Sequence, residues 1–303
     1  MDDLTREINK MIRRQILKRK LSPRCAFALL GSTLAYAAPL LAGLGAAPAQ
    51  AASFVTFVSG KGVDAGTCAD SANPCRHFQF AIEQTTAGGE VKALDPAHYA
   101  AMTITKSITI TGVEGAGRTI SAATDAITIN AGASDVVNLS HLILDGVKVA
   151  SHGIVHNSAG SLTVTDCVVR NFAGEGIFLR PAGAAKFLIK DTLVSDSRGI
   201  GVSPQGTLVQ NDLDHVVMSR NSVGLVVFPP ADITVVDSSA TRNFGTGISV
   251  RPGAAVVRLA RSTITGNFDG VFRGGTVETF GDNHIHGNRH SDSFLPLTNV
   301  GTQ

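Results

Sequence analysis

The chain has 303 residues, of which 44% are hydrophobic and 17% charged, with 32 glycines, no tryptophan and a formal net charge of +2. That length and apolar content suit a folded domain and exclude a disordered chain. No basic patch marks a nucleic-acid binder, and there is no strong acidic bias.

Residues 1–24 hold eight Lys/Arg against Asp2, Asp3 and Glu7. An uncharged Ala/Leu-rich stretch then runs from Cys25 to about Ala47, followed by Ala49-Gln50-Ala51. A basic region, an apolar region and an A-x-A site in that order predict a signal peptide over 1–51, cut after Ala51. The apolar stretch is long enough to span a bilayer, but its Ala/Gly content and Pro39 favour cleavage over anchoring. The RRQILK run at 13–18 also resembles a twin-arginine export signal. The leader carries +5 of formal charge, so the remainder stands at about −3. The expectation is an exported protein, periplasmic or extracellular, with no nucleic-acid partner and no membrane span once the leader is gone.

Beyond the leader the cysteines are Cys68, Cys75 and Cys167. In an exported chain Cys68 and Cys75, on either side of a Ser-Ala-Asn-Pro turn, read as a local disulfide. Residues 74–88 place Phe78, Ala81 and Ile82 at helical spacing behind an Asn-Pro start. A short amphipathic helix is predicted here, covering the open end of a stack of strands that begins at about residue 90. Residues 52–90 thus read as an N-terminal segment holding the disulfide and the capping helix.

A repeat then dominates the chain. Gly153, Gly176, Gly199, Gly224, Gly247 and Gly270 each open a short apolar block, at intervals of 23, 23, 25, 23 and 23 residues. A second signature recurs inside each period: Val137/Leu139/Leu144, Leu162/Val164/Val169, Phe187/Ile189/Val194, Ile233/Val235/Ala240 and Val257/Leu259/Ile264. The alternating pair is a half-buried strand. Each period holds two short strands and the start of a third, too little for a helix and a strand, which excludes a leucine-rich horseshoe. Three strands and three corners in 23–25 residues make one coil of a parallel β-helix. The solenoid is predicted over 91–290, with 291–303 as a tail, and the fold class is all-β. Cys167 falls on an inward column with Leu142, Thr192, Ser238 and Ser262, as a small buried thiol.

The segment NPCRHFQFAIEQTTAGGEVKALDPAHYAAMTITKSITITG, residues 73–112, resembles the opening of bacterial exported β-helix proteins of the pectin-lyase-like superfamily. GNFDGV at 266 and GDNHIHGN at 281 are similar to later coils of the same superfamily. The resemblance implies a right-handed parallel β-helix. It implies little about activity, because lyases, hydrolases, epimerases and adhesins share that scaffold.

The predicted outward positions of the glycine-led strand are Val155, Phe178, Gly201, Val226, Ser249 and Phe272, a row with no acid and no base. The paired-Asp and Arg-x-Lys segments of polygalacturonases and the Trp motifs of pectate lyases are absent. One polar column remains: His141, Asp166, Asp191, His215, Asp237 and Arg261. Asp166, Asp191, His215 and Asp237 are the catalytic or cation-binding candidates, since stacked carboxylates and imidazoles shift one another's pKa. The competing reading, preferred here, is a one-residue corner in the left-handed backbone region, which Asp and His tolerate well. Asn171, Asn221, Asn243 and Asn267 are placed at a further corner. Phe172, Phe244 and Phe268 beside them are either a packed stack, which is preferred, or a platform for sugar rings. Arg180 and Arg251, each before Pro, are candidates to meet carboxylates or plain solvated turn residues. His284, His286 and His290 form a group that can suit a metal, but an exposed polar last coil accounts for them, so no metal and no cofactor are expected. The reading is a non-catalytic exported β-helix with a surface, glycan-binding or adhesin-like role, its partner a polysaccharide or cell-surface glycan. The alternative is a diverged polysaccharide lyase, hydrolase or epimerase.

Overall fold

A computed structural model describes residues 52–113, 118–119 and 124–301. The expectations for the leader lie outside these residues. The described residues form one compact unit, built from three parallel sheets of eleven, nine and nine strands, here called A, B and C.

One coil shows the plan. Ser161–Thr165 lies in sheet A, Val168–Arg170 in sheet B and Ile177–Leu179 in sheet C. Each strand pairs in register with its equivalents one coil before and one coil after, so Leu162 faces Val137 and Phe187. Alternation sends Leu162 and Val164 into the core and Thr163 outward. The inward residues stack into a single apolar cluster running from Val58 to Val277. Each buried aliphatic contributes about 1.5–3 kcal/mol against the chain entropy it costs, and it does so only while its neighbouring coils are present.

The N-terminal lid is helix α1 (Phe78–Gln84), whose buried residues are Phe78, Ala81 and Ile82 as the spacing predicts. The helix is shorter than 74–88. Thr85–Ala93 leaves it directly as a strand paired with Ser53–Val58, because the buried Thr85 hydroxyl bonds both Ala81 O and Thr56 Oγ1. Cys68 and Cys75 are bonded. They bracket the first strand: Phe57 N–H donates to Cys68 O, and Cys75 N–H donates to Phe57 O. Pairing runs from Ser53 to Asn299, so the solenoid takes in residues on both sides of 91–290. Cys167 is free and buried, in line with Leu142, Thr192, Ser238 and Ser262.

The corners bear the register. Between sheets A and B, His141, Asp166, Asp191, His215, Asp237 and Arg261 all have φ between 45° and 55°, so the left-handed corner holds at all six. Between sheets B and C the left-handed residues are Val147, Lys148, Asn171, Asp196, Arg220, Arg242, Gly266 and Gly287. Asn221, Asn243 and Asn267 lie one step further on, fully buried, and this corrects their predicted place at the corner. They form a ladder. Each side-chain oxygen accepts from the backbone N–H of the preceding coil (Ser197, Asn221 and Asn243), and each amide donates to a carbonyl (Val194, Met218 and Ala240). Asn288 and then Asp292 close the ladder. Asn171 is out of step with the other three, and Phe172 takes the ladder position. Its ring fits where a Cβ on Gly146 or Gly153 would stand 2.5 or 3.0 Å from it.

The marker glycine is also reassigned in one coil. Ile177 pairs with Val202, so Gly201, not Gly199, continues the glycine column. A Cβ there would come within 2.6 Å of Gly224 O. The longer coil therefore precedes Gly201, and Ser203 takes the outward place expected of Gly201.

Candidate functional site

Sheet C is where polar chemistry collects. Its outward column is Val155, Phe178, Ser203, Val226, Ser249 and Phe272. Val155, Ser203, Val226 and Ser249 are buried, while Phe178 and Phe272 reach the surface. At the sheet's leading edge the same register stacks Asp125, His152 and Glu175, the residues just ahead of three successive strands. His152 Nδ1 is 2.6 Å from Asp125 Oδ1 and its Nε2 is 2.9 Å from Glu175 Oε2. All three side chains are about a quarter exposed. Both ring nitrogens can donate only in the imidazolium. Glu175 first, then Asp125, accordingly hold His152 above the usual histidine range against the opposing effect of burial. The bond from His152 holds Glu175 below the usual carboxylate range.

The His152 ring lies 5.5 Å from Phe178, and the Arg180 guanidinium sits 5.0 Å from the same phenyl ring. Arg180 Nε donates to Asn157 Oδ1, and Asn157 donates to Asn130. One step from the third strand an imidazolium, two carboxylates, a phenyl ring and a guanidinium are thus fixed together. Two more arginines are held on rings beside sheet C: Arg251 over Phe228 at 5.7 Å and Arg289 over Phe268 at 6.0 Å. Arg170, Arg220, Arg258 and Arg261 are neutralised by carboxylates. Among the described residues, Arg180, Arg251 and Arg289 make no ion pair.

Residues 152–294 match the family model described as "Right handed beta helix region". The fold is a right-handed parallel β-helix. In fold this β-helix resembles pectate lyase Pel9A, at 16% identity over 82% of this chain and 77% of that one, with a TM-score of 0.56. A mannuronan C-5 epimerase A-module, AlgE4 of Azotobacter vinelandii, aligns at 13% identity over 71% of this chain and 91% of that one, with a TM-score of 0.46. No curated protein matches the chain. At 16% identity the property shared with the pectate lyase is the fold, and at the level of a right-handed parallel β-helix the expected resemblance holds.

The β-helix does not gather the candidate column into one pocket. Asp166 stands 3.8 Å from His141 Nε2, and Asp191 occupies the next corner. His215 and Asp237 come together with Asp214, their ligand atoms within 4.8 Å. Cations already serve these carboxylates. Arg261 grips Asp237 with both nitrogens at 2.7 and 2.8 Å, and Lys190 lies 3.4 Å from Asp214. The bond from Arg261 keeps Asp237 below the usual carboxylate range. The three C-terminal histidines do not converge: His286 faces Asp292 at 3.4 Å and His290 faces Asp269 at 2.8 Å. Phe172 is fully buried and cannot meet a ligand. The packed phenyl stack is likewise corrected, since Phe244 and Phe268 are 73% and 46% exposed. With Phe172 one step out of register the expected three-phenyl stack does not form, and Phe268 lies instead against the His290 ring at 5.2 Å.

Sequence reasoning missed Asp125, His152 and Glu175. The available signal was the residue ahead of each glycine marker: His152 before Gly153 and Glu175 before Gly176. It also missed His156, which takes an inward position between Ile129 and Leu179. His156 is 1% exposed, neither ring nitrogen has a partner, and burial pushes its pKa down to about 4.

Proposed function

We propose that this protein binds an acidic polysaccharide along the sheet C face. One observation carries the reading: three guanidinium groups, Arg180, Arg251 and Arg289, border this sheet, each held on a phenyl ring, and among the described residues none has a carboxylate within ion-pair distance, although the Arg180 charge does help hold Glu175 ionised. A guanidinium kept on a ring stays ordered and only weakly hydrated, ready for bidentate bonds to a uronate carboxylate. Arg180 and Arg251 stand three coils apart, about 14 Å, suited to repeated charges on a polymer. The fold shared with a pectate lyase, an enzyme named for an acidic polysaccharide, supports the same class of partner.

The test is binding to polygalacturonate and alginate at low and high salt. Affinity should fall with salt, and Arg180→Ala or Arg251→Ala should each weaken it about tenfold, the effect of roughly 1.4 kcal/mol. No binding to any uronate polymer at low salt, or binding indifferent to both substitutions, would reject the reading.

A catalytic role is favoured by a single arrangement, His152 between Asp125 and Glu175 beside Phe178. A half-buried imidazolium that can pass a proton to either carboxylate is equipped for general acid–base work on a bound sugar. Release of unsaturated or shortened oligosaccharides, lost in His152→Ala, would establish it.

Export belongs to the same proposal: a leader cut after Ala51, and a Cys68–Cys75 bond formed in an oxidising compartment. Intact mass of the exported form decides it, and retention of residues 1–51 would refute it.

A further inference from the structure

Sheet B carries an apolar column on its outer side. Its register sets Ile143 beside Val168, Val168 beside Leu193, and Leu193 beside Val217. The next residue of each strand (Leu144, Val169, Val194 and Met218) is fully buried in the core, so these four aliphatics point outward. Val217 is 39% exposed and the other three are half-buried. Further along the same column the outward residues turn polar, as Ser239, Thr263 and His284, in keeping with the preference of polar side chains for water. Val147 and Val149, in the turn that leaves Ile143–Asp145, add exposed apolar surface at one end. The four-residue run spans three coil steps, about 14 Å. Contiguous exposed aliphatics of this kind mark an interaction surface.

The charges along its two borders select the occupant. On the sheet A side, Asp166 has only the His141 ring, 3.8 Å away. Asp191 has no cation within ion-pair distance among the described residues, its neighbour Lys190 lying against Asp214 at 3.4 Å. On the sheet C side, Asp145 and Asp196 are each taken by an arginine, Arg170 and Arg220. Lys148 and Arg242 are left there as exposed cations with no ion pair among the described residues. One border is thus acidic and the other basic. A second copy, turned about a twofold axis parallel to the solenoid, sets each acidic border against its partner's basic border. Turning it about an axis along the strands would set acid against acid, which is repulsive. The aliphatic ridges of the copy recur at the same ~4.8 Å step, so the two runs mesh along their length.

We propose that the Ile143–Val168–Leu193–Val217 run of sheet B binds a second copy of this chain, the two solenoids side by side with parallel axes and their N-terminal lids at the same end. The pairing does not depend on the polysaccharide reading, because sheet C is a separate face. The run is smaller than a standard interface, so association is weak, with a dissociation constant on the order of tens of micromolar.

The experiment is sedimentation of the whole protein from about 1 to about 500 μM, where the mass should rise from monomer to dimer. Leu193→Thr with Val217→Thr keeps β-branched strand residues and should weaken the dimer at least about tenfold, with the melting temperature unchanged in dilute solution. Should that pair melt lower, Asp166→Asn with Asp191→Asn decides instead. The left-handed corner accepts Asn, so this variant should weaken the dimer several-fold at low salt and melt normally. Orientation is read from Ile143→Cys and Val217→Cys, each oxidised with diamide. About an axis parallel to the solenoid every residue of the run meets its own equivalent, so each variant alone should give a disulfide-linked dimer. Linking only in a mixture of the two would reject the parallel arrangement. A chain that stays monomeric throughout overturns the proposal and leaves the run to a partner of another kind. A dimer indifferent to both the Thr and the Asn variants makes its contact elsewhere, which overturns it equally.

Discussion

His152 and His156 leave the same short stretch of chain and meet opposite surroundings. His152 is held above its unfolded value by Glu175 and Asp125. Its contribution to stability is therefore fully present below about pH 6.5 and is lost as pH rises through the folded value. His156 is buried without partners and titrates at about 4 when folded. Between about pH 6.5 and 4 the unfolded chain takes up a proton that the folded one refuses, so stability falls by up to ~3 kcal/mol on acidification across that window. His156→Leu should remove this loss and raise the melting temperature at pH 5 more than at pH 7, which thermal melts at the two values will read. His152→Ala should leave two carboxylates facing each other and cost about 1–2 kcal/mol at pH 6. That loss should shrink as pH rises. Following the His152 ring protons by NMR should give a midpoint above that of a free histidine, and a midpoint below it would contradict the imidazolium geometry.

At the level of strands and corners, the left-handed residues can be tested one by one. Asp191→Asn should cost no more than about 0.5 kcal/mol, because Asn keeps the left-handed preference. Asp191→Val, at φ 46°, should cost about 1–2 kcal/mol in urea melts. Arg242, at φ 55° with no carboxylate among the described residues to hold it, should become more stable by a similar amount as Gly. The buried ladder is more demanding. Asn243→Ala removes an acceptor from Asn221 N–H and a donor to Met218 O, so a loss of at least about 3 kcal/mol is expected from two stranded backbone groups. The glycine period made the coil legible in the sequence, but not its phase. In Gly199-Ile200-Gly201 two glycines fit the pattern, and only the pairing of Ile177 with Val202 chooses between them. Asn171 and Asn221 likewise look alike as letters. They separate because Phe172 fills a space flanked by Gly146 and Gly153, which local spacing does not reveal.

Across the whole molecule, the fold could be read because it repeats, and the candidate site could not because it does not. Asp125, His152 and Glu175 are scattered in the chain and become neighbours only when three coils stack. Arg180 was visible for its place before Pro181, but its phenyl partner is a property of the folded surface. Cys167, the one free thiol among the described residues, gives a simple check on the solenoid's integrity. Burial pushes the Cys167 pKa up to about 12, so thiol reagents should leave it untouched in native protein and modify it only on unfolding.

The in-register stacking of equivalent coils makes the length of this protein an editable quantity. Gly224 and Gly247 are equivalent positions, so excising the 23 residues from Gly224 to Thr246 joins Val223 to Gly247 at the same point of the next coil. Leu213 would then face Leu259, Met218 would face Ile264 and Val202 would face Ile248, each inward residue meeting another inward residue. All three sheets shorten by one strand, and Asn221 inherits the amide of Asn267. A cooperatively melting, one-coil-shorter rod is expected, with unchanged β circular dichroism per residue. Excising Gly224 to Val235 instead joins the first residue of a sheet C strand to the last residue of a sheet A strand and should yield no cooperative transition. Equal behaviour of the two deletions would mean that whole coils are not the units in which this chain can be lengthened or trimmed.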